Sequence, residues 1–199
     1  MQPDSRVQLL RGLQGPLLVL LPALSFGCGA STQVWFTPSE EVKNVLDAEF
    51  SAAASHIHVA IYTFTEADIA SSLMDAARRV EVKVCADWNQ TDNPQVGQKD
   101  ILRDLVDAGV QVRKSDGGGG GIMHHKFAVI DDRQVFTGSF NYTRSAVLLN
   151  SENLVLIRDP GTAADYEAVF QELWSGCVEL DAERPGDPDP TGDDTGETS

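Results

Sequence analysis

The 199-residue chain carries 30 Asp and Glu against 15 Lys and Arg, a net charge of −15. An acid excess of this size excludes a general nucleic-acid binder built on a global basic bias. Three Cys exclude a disulfide framework as the main source of stability, and the length leaves room for one domain with a real core once both ends are set aside.

Residues 1–30 read as an export segment. Arg6 and Arg11 precede an apolar run from Leu17 to Leu24, and small residues follow around Cys28. That order is the pattern of a secretory signal peptide, and the Pro-interrupted run is too short to span a bilayer comfortably. Gly27-Cys28 followed by Gly-Ala-Ser resembles the cleavage site of bacterial lipoproteins. Cys28 is therefore the lipidation candidate, giving membrane anchoring through a lipidated N-terminus. Ser25 stands where Leu is usual, so ordinary cleavage and an uncleaved anchor stay open. The expected location is outside the cytoplasm: the bacterial cell envelope, as a periplasmic or membrane-attached lipoprotein, or the medium.

Residues 31–178 are expected to fold. Gln33 to Thr37 reads as a strand, and Thr37-Pro38-Ser39-Glu40 as a capping box with Pro at the first helical position. Val42, Val45, Leu46 and Phe50 follow helical spacing. His56 to Phe64 alternates and is rich in β-branched and aromatic residues, which predicts a strand. Thr65 caps a second helix to about Arg79. A strand over Val80 to Ala86, a helix over Gln95 to Ala108 and a strand over Val110 to Arg113 follow. Gly117 to Gly121 breaks any element and reads as a flexible loop, since no Lys-Ser/Thr follows it as in a phosphate cradle.

Ile122 to Ile130 and Gln134 to Phe136 predict a hairpin turning at Asp131-Asp132-Arg133. Asn141 opens a short helix, Asn153 to Ile157 is a strand, and a last helix runs from Thr162 to Trp174. Strands alternating with helices, interrupted by one hairpin, argue an α/β layered domain with a mixed, mostly parallel sheet flanked by helices. Residues 179–199 hold eight acids and one base, Arg184, and predict a disordered tail. The first thirty residues carry +1 and residues 179–199 carry −7, so residues 31–178 carry −9.

The chemistry concentrates between Met123 and Asn153. A strand places positions i and i+2 on one face, so His124 and Lys126 point together and His125 points away into packing. His124 is a candidate nucleophile and Lys126 a fixed cation. Ser139 and Asn141 follow Gly138, where the chain can approach a ligand closely, and could hydrogen-bond phosphoryl oxygens. A nucleophilic His needs an acceptor on its other nitrogen to fix the tautomer, and Glu152 is the candidate. Asp131 at the turn is expected to hold local geometry. Arg113, Lys114, Arg133 and Arg144 also lie near the motif, either as ordinary solvated charges or as a phosphate-attracting rim. His56 and His58 read as structural residues, with a His-x-His metal pair as the minority reading. Cys85 and Cys177 could be bridged or free.

The spacing His124-x-Lys126-x4-Asp131-x6-Gly138-Ser139-x-Asn141 resembles the HKD motif of the phospholipase D superfamily. The match extends to Tyr62-Thr63-Phe64-Thr65 and Ser151-Glu152-Asn153. It is most similar to the single-motif branch of bacterial endonucleases and Zucchini-like mitochondrial cardiolipin hydrolases. The resemblance implies His124, Lys126, Asp131 and Glu152 as the catalytic set, with Lys126, Ser139 and Asn141 binding phosphate. It also implies a phosphohistidine intermediate, no cofactor, no metal, and a homodimer sharing one active site. The expected activity is metal-independent hydrolysis of a phosphodiester in a phospholipid. An exported endonuclease cutting DNA or RNA is the alternative, and an inactive binding module the third reading.

Overall fold

A computed structural model of the chain describes residues 29–118 and 121–183. Residues 1–28 with Cys28, Gly119 and Gly120 in the glycine run, and residues 184–199 of the acidic tail lie outside the described residues. In chain order the elements are β1 (Ser31–Phe36), α1 (Glu41–Ala52), β2 (His56–Ile61), α2 (Ala67–Ala77), β3 (Glu81–Asp87), α3 (Trp88–Asp92) and α4 (Gln98–Asp107). There follow β4 (Gln111–Ser115), β5 (Lys126–Ile130), β6 (Gln134–Gly138), α5 (Arg144–Leu148), β7 (Asn153–Arg158), α6 (Pro160–Gly176) and β8 (Val178–Glu179). No helix among the described residues is long and apolar enough to cross a membrane.

Strand alternation sets the layers. Ile57, Val59 and Ile61 of β2, Val82, Val84 and Ala86 of β3, and Ala128 and Ile130 of β5 face one core. They pack there against Val42, Leu46 and Phe50 of α1, Leu73 of α2 and Leu102 of α4. The opposite parity, Ala60, Cys85, Phe127 and Val129, forms a smaller core beneath Ala163 and Phe170 of α6. Every strand of the centre is thus buried on both faces, which is why these segments are so apolar.

The eight strands form one sheet in the order β1-β7-β6-β5-β2-β3-β4-β8. It is mixed, as expected, but it is not mostly parallel. The β2–β3 and β3–β4 pairs are parallel, and the other five pairings are antiparallel. Parallel neighbours need a crossover. Helices α2 and α4 supply crossovers for β3 and β4 alone, while the short turn after β5 forces β6 back alongside it.

Helix starts differ from the sequence reading where a hydroxyl found a better partner. Thr37 does not cap α1: its Oγ1 donates to the Asn150 carbonyl (2.9 Å) and accepts the Glu152 N–H (3.0 Å). Helix α1 opens behind Glu40, with no side-chain cap. Helix α2 opens behind Glu66 rather than Thr65, again uncapped. Helix α5 opens behind Thr143, whose hydroxyl accepts the Ala146 N–H, and not at Asn141. The unanticipated α3 is a single turn capped by Asp87, which accepts the Gln90 N–H.

The turn between β5 and β6 carries Asp131 and Asp132 at φ 56° and 53°, a left-handed pair that Asp tolerates better than most residues. Asp131 fixes that turn to the start of β2. Its carboxylate accepts the N–H groups of Ala54 (2.8 Å), Ser55 (2.7 Å) and His56 (3.1 Å) and the Ser55 hydroxyl (2.8 Å). Burial alone would raise this carboxyl, but those four donors together hold it below the usual Asp value.

At the other side of the sheet, Cys85 in β3 and Cys177 after α6 form a disulfide across 92 residues, with Cα atoms 6.8 Å apart. The bridge left open by the sequence is therefore made.

Two outcomes follow. Asp131→Asn removes one acceptor oxygen from a cluster of backbone donors and is expected to cost about 1–3 kcal/mol in urea unfolding. Because the folded pKa is depressed, the wild-type advantage is complete above the unfolded Asp value and fades as pH falls through the lower folded value. A wild-type minus variant difference that does not shrink on acidification would contradict this assignment. Closing so long a loop is worth about 4.6 kcal/mol by chain entropy, so the C85A/C177A double variant should unfold at markedly lower urea. An unchanged midpoint would show that the bridge adds nothing.

Candidate active site

The site is assembled at the end of β2, just past Ile61. Tyr62 presents its ring to both motif side chains. The His124 imidazole lies edge-on to it with centroids 4.5 Å apart, and the Lys126 ammonium sits 4.8 Å from its centroid. The Tyr62 hydroxyl accepts a hydrogen bond from Gln90 of α3 (3.0 Å), which fixes the ring.

His124 lies ahead of β5 rather than in it, since the strand begins at Lys126. The i, i+2 reading nevertheless holds, because the segment is pinned. The Met123 N–H donates to the buried Asp87 carboxylate (3.0 Å), and the Met123 side chain is sealed in the smaller core. His125 points the other way, edge-on to Phe127 at 5.3 Å. Its pKa is depressed by burial first, then by the charges of Lys126 and His124.

Lys126 is half-buried and donates to the His124 carbonyl oxygen (2.9 Å). Burial lowers its pKa, against the opposing pull of the Glu152 and Asp87 carboxylates. Cation and imidazole are therefore tied through one peptide. A depression of about 350 Å³ opens beside them, lined also by Thr137, Gly138 and Tyr166. A larger recess of about 550 Å³ lies away from the motif, between α4, β4 and β8.

The second half of the motif hangs on the same strand end. The Thr63 N–H donates to Asn141 Oδ1 (3.2 Å), which leaves the Asn141 amide N–H₂ to donate. Ser139 and Asn153 clasp each other: the Ser139 N–H donates to Asn153 Oδ1 (2.8 Å) and the Asn153 N–H to Ser139 Oγ (3.1 Å). The Ser139 hydroxyl proton remains available. Gly138 makes this clasp accessible, with φ 141° and a position where a Cβ would fall 2.3 Å from the Asn153 carbonyl oxygen. No other residue fits.

Two residues of the catalytic set implied by the resemblance lie away from the His124 ring, Asp131 at the turn where the sequence reading puts it. Asp131 follows β5, five residues from Lys126 and about 16 Å along the strand direction. It serves the turn described above. Glu152 does not hold the His124 ring. Its backbone is locked to Thr37, its carboxylate accepts from Asn150 Nδ2 (3.2 Å), and its charge acts on Lys126. Among the described residues the His124 imidazole has no hydrogen-bond partner, so the tautomer-fixing pair is not made within one chain.

Among the described residues, Arg113 and Lys114 do not form a basic rim at the motif. Arg113 pairs with Glu179 (3.2 Å) and stacks on Trp174, while Lys114 is buried against Asp92 (2.8 Å) and Trp88. Arg133 belongs to the distant β5–β6 turn, and Arg144 is exposed at the start of α5. Exposed apolar side chains flank the motif instead: Ile122 two residues before His124, and Leu149 and Phe36 beside the Asn150–Glu152 segment (76% and 69% exposed). Sequence reasoning missed Asp87 and Gln90. An acid closing an apolar strand at the carboxyl edge of a parallel pair was the available signal for Asp87.

The comparisons agree with this geometry. Residues 46–174 match the family model described as "Cardiolipin synthase, PLD-like domain". The chain is 34% identical over 124 residues to a mitochondrial cardiolipin hydrolase of Chlamydomonas reinhardtii, covering 62% of this chain and 53% of that protein. It is 30% identical over 132 residues to a phospholipase D of Rickettsia bellii, covering 66% and 63%. The chain thus spans only about half to two thirds of the length of these relatives. Among solved structures, the phospholipase D family member Nuc of Salmonella typhimurium superposes with a TM-score of 0.69 at 28% identity, over 75% of this chain and 97% of that one. NucT of Helicobacter pylori superposes with a TM-score of 0.67 at 27% identity, over 75% and 99%. The family match spans the whole stretch from α1 to α6 that carries the motif, and the chain belongs to the phospholipase D-like family.

Proposed function

We propose that the chain is a metal-independent phosphodiesterase that hydrolyses phospholipid head-group esters through a phosphohistidine. The observation that carries the reading is the joint seating of His124 and Lys126 on Tyr62. It holds a nucleophile and a fixed cation at one spot, with the Asn141 amide and Ser139 hydroxyl free to donate beyond it. A histidine nitrogen attacks phosphorus, an N–P bond forms, and the P–O bond to the leaving alcohol breaks. Lys126, Asn141 and Ser139 stabilise the charge on the phosphoryl oxygens, the task a metal would otherwise perform.

The leaving oxygen needs a proton and the phosphohistidine needs an activated water. One chain offers no second copy of the motif, so His124 of the partner subunit is assigned both tasks in a homodimer. The two imidazoles then titrate as a pair. The exposed His124 ring and the apolar Phe36 and Leu149 beside the site support that arrangement. The Cys85–Cys177 bridge supports export to an oxidising compartment.

Lipid is favoured over nucleic acid by the apolar residues around the motif, by the pairing of Arg113 and Lys114 away from it, and by the names of the relatives. Purified protein should release head groups from labelled phosphatidylcholine or cardiolipin vesicles at a rate unaffected by EDTA. His124→Asn should lower that rate by about a thousandfold or more. Cleavage of plasmid or RNA with intact vesicles would transfer the reading to the endonuclease alternative. Turnover of neither class would leave a binding module. In sedimentation the active species should be a dimer, and wild type mixed with excess His124→Asn should lose activity as mixed dimers form. A fully active monomer would overturn the shared site.

A further inference from the structure

The opposite end of β2, about 20 Å along the strand from Tyr62, carries a second cluster of reactive side chains that the proposed chemistry does not use. His56 and His58 lie on the face of β2 that meets α6, with ring centroids 4.5 Å apart. Glu167 of α6 completes a group in which one ligating atom from each residue falls within 4.8 Å of the others.

The hydrogen bonds fix which nitrogens are free. The Ser55 hydroxyl has one proton and gives it to Asp131 (2.8 Å). Its contact with His56 Nδ1 (3.0 Å) must therefore be Nδ1–H donating. In the neutral ring Nε2 is then a lone pair, and that atom is buried with no hydrogen-bond partner among the described residues. The atom nearest to it in charge terms is Asp132 Oδ1, 3.4 Å away. A lone pair facing a carboxylate oxygen is repulsive unless a cation lies between them.

His58 shows the same demand. Its Nδ1 faces both Glu167 oxygens (2.8 and 3.0 Å) and its Nε2 faces Glu81 (3.2 Å). A neutral imidazole supplies only one N–H for these two carboxylates. Glu81 Oε1 also accepts from the Lys83 ammonium (2.8 Å), which marks it as a carboxylate acceptor for Nε2–H. Nδ1 then points at Glu167 as a second lone pair. The ring is 5% exposed and stacks on Phe170 at 4.7 Å, so it cannot swing away.

We propose that His56 Nε2, His58 Nδ1, Glu167 and Asp132 bind one divalent transition metal ion, with Zn²⁺ the best match. Two imidazoles and two carboxylates are a common zinc donor set, and metal–ligand bonds of about 2.0–2.1 Å give tetrahedral edges near the observed His56–Asp132 separation. Each imidazole already has its outer partner: Ser55 and Asp131 for His56, Glu81 for His58. The ion would fasten the β5–β6 turn and α6 to the start of β2. This site is independent of the phosphodiesterase reading.

The full chain, oxidised at its disulfide and stripped with EDTA, would be titrated with Zn²⁺ alone by calorimetry and with Co²⁺ alone by visible absorption. One tight Zn²⁺ per chain and the strong bands of tetrahedral Co²⁺ are expected, with a higher melting temperature on zinc. Asp132→Asn keeps a residue that tolerates the left-handed turn and should weaken binding at least about tenfold, and His56→Gln should abolish the Co²⁺ bands. His124→Asn should leave both unchanged. Absence of tight zinc, or tight zinc retained in both Asp132→Asn and His56→Gln, would overturn the site and would mean that protons hold the cluster together.

Discussion

The two residues that leave β2, Tyr62 and Thr63, are the constraint on which the site depends. The motif arrives in two pieces, one ahead of β5 and one after β6, and neither piece touches the other in sequence. The Tyr62 ring receives His124 and Lys126, and the Thr63 N–H receives Asn141. Their positions are in turn set by β2, which pairs with β3 on one side and β5 on the other and is buried on both faces. The buried Gln98 reinforces this end by accepting the Phe64 N–H (2.6 Å) and donating to Thr91 (2.9 Å). The site is rigid because the strand that presents it has no freedom left.

Much of this was legible because it depended on local periodicity. Apolar alternation found every long strand, and the i, i+2 rule separated His124 from His125 even though His124 falls outside the strand. What failed depended on partners remote in sequence. Thr37 carries the signature of a helix cap, but a carbonyl and an N–H from the 150–152 segment compete for the same hydroxyl and win. Glu152 was assigned to His124 on chemistry alone, and the Thr37 clamp on its backbone directs it elsewhere. The direction of the sheet was misjudged because strand content does not reveal which strands become neighbours. Only the strand-end position of Asp87 was legible, since the Met123 N–H it holds lies 36 residues away.

Strand β2 also divides labour along its length. Its carboxyl end offers an exposed imidazole without a hydrogen-bond partner beside a cation, while its amino end surrounds two imidazoles with carboxylates. The same residue type sits in opposite settings: among the described residues no carboxylate bonds the His124 ring, whereas Asp131, Asp132, Glu81 and Glu167 gather around the other pair. The acidity that argues against a polyanion-binding face is thus partly spent on the fold itself.

The hydrogen bond from Lys126 to the carbonyl of His124 has one further consequence. It ties the Lys126 ammonium to the backbone that carries the His124 ring, so that the two form a short caliper. In the proposed reaction such a caliper spans the phosphodiester and makes no contact with what is esterified on either side. Selectivity must then reside in side chains that can be exchanged without disturbing it, such as Ile122, Phe36 and Leu149. A scaffold arranged in this way can change its substrate while leaving its chemistry untouched.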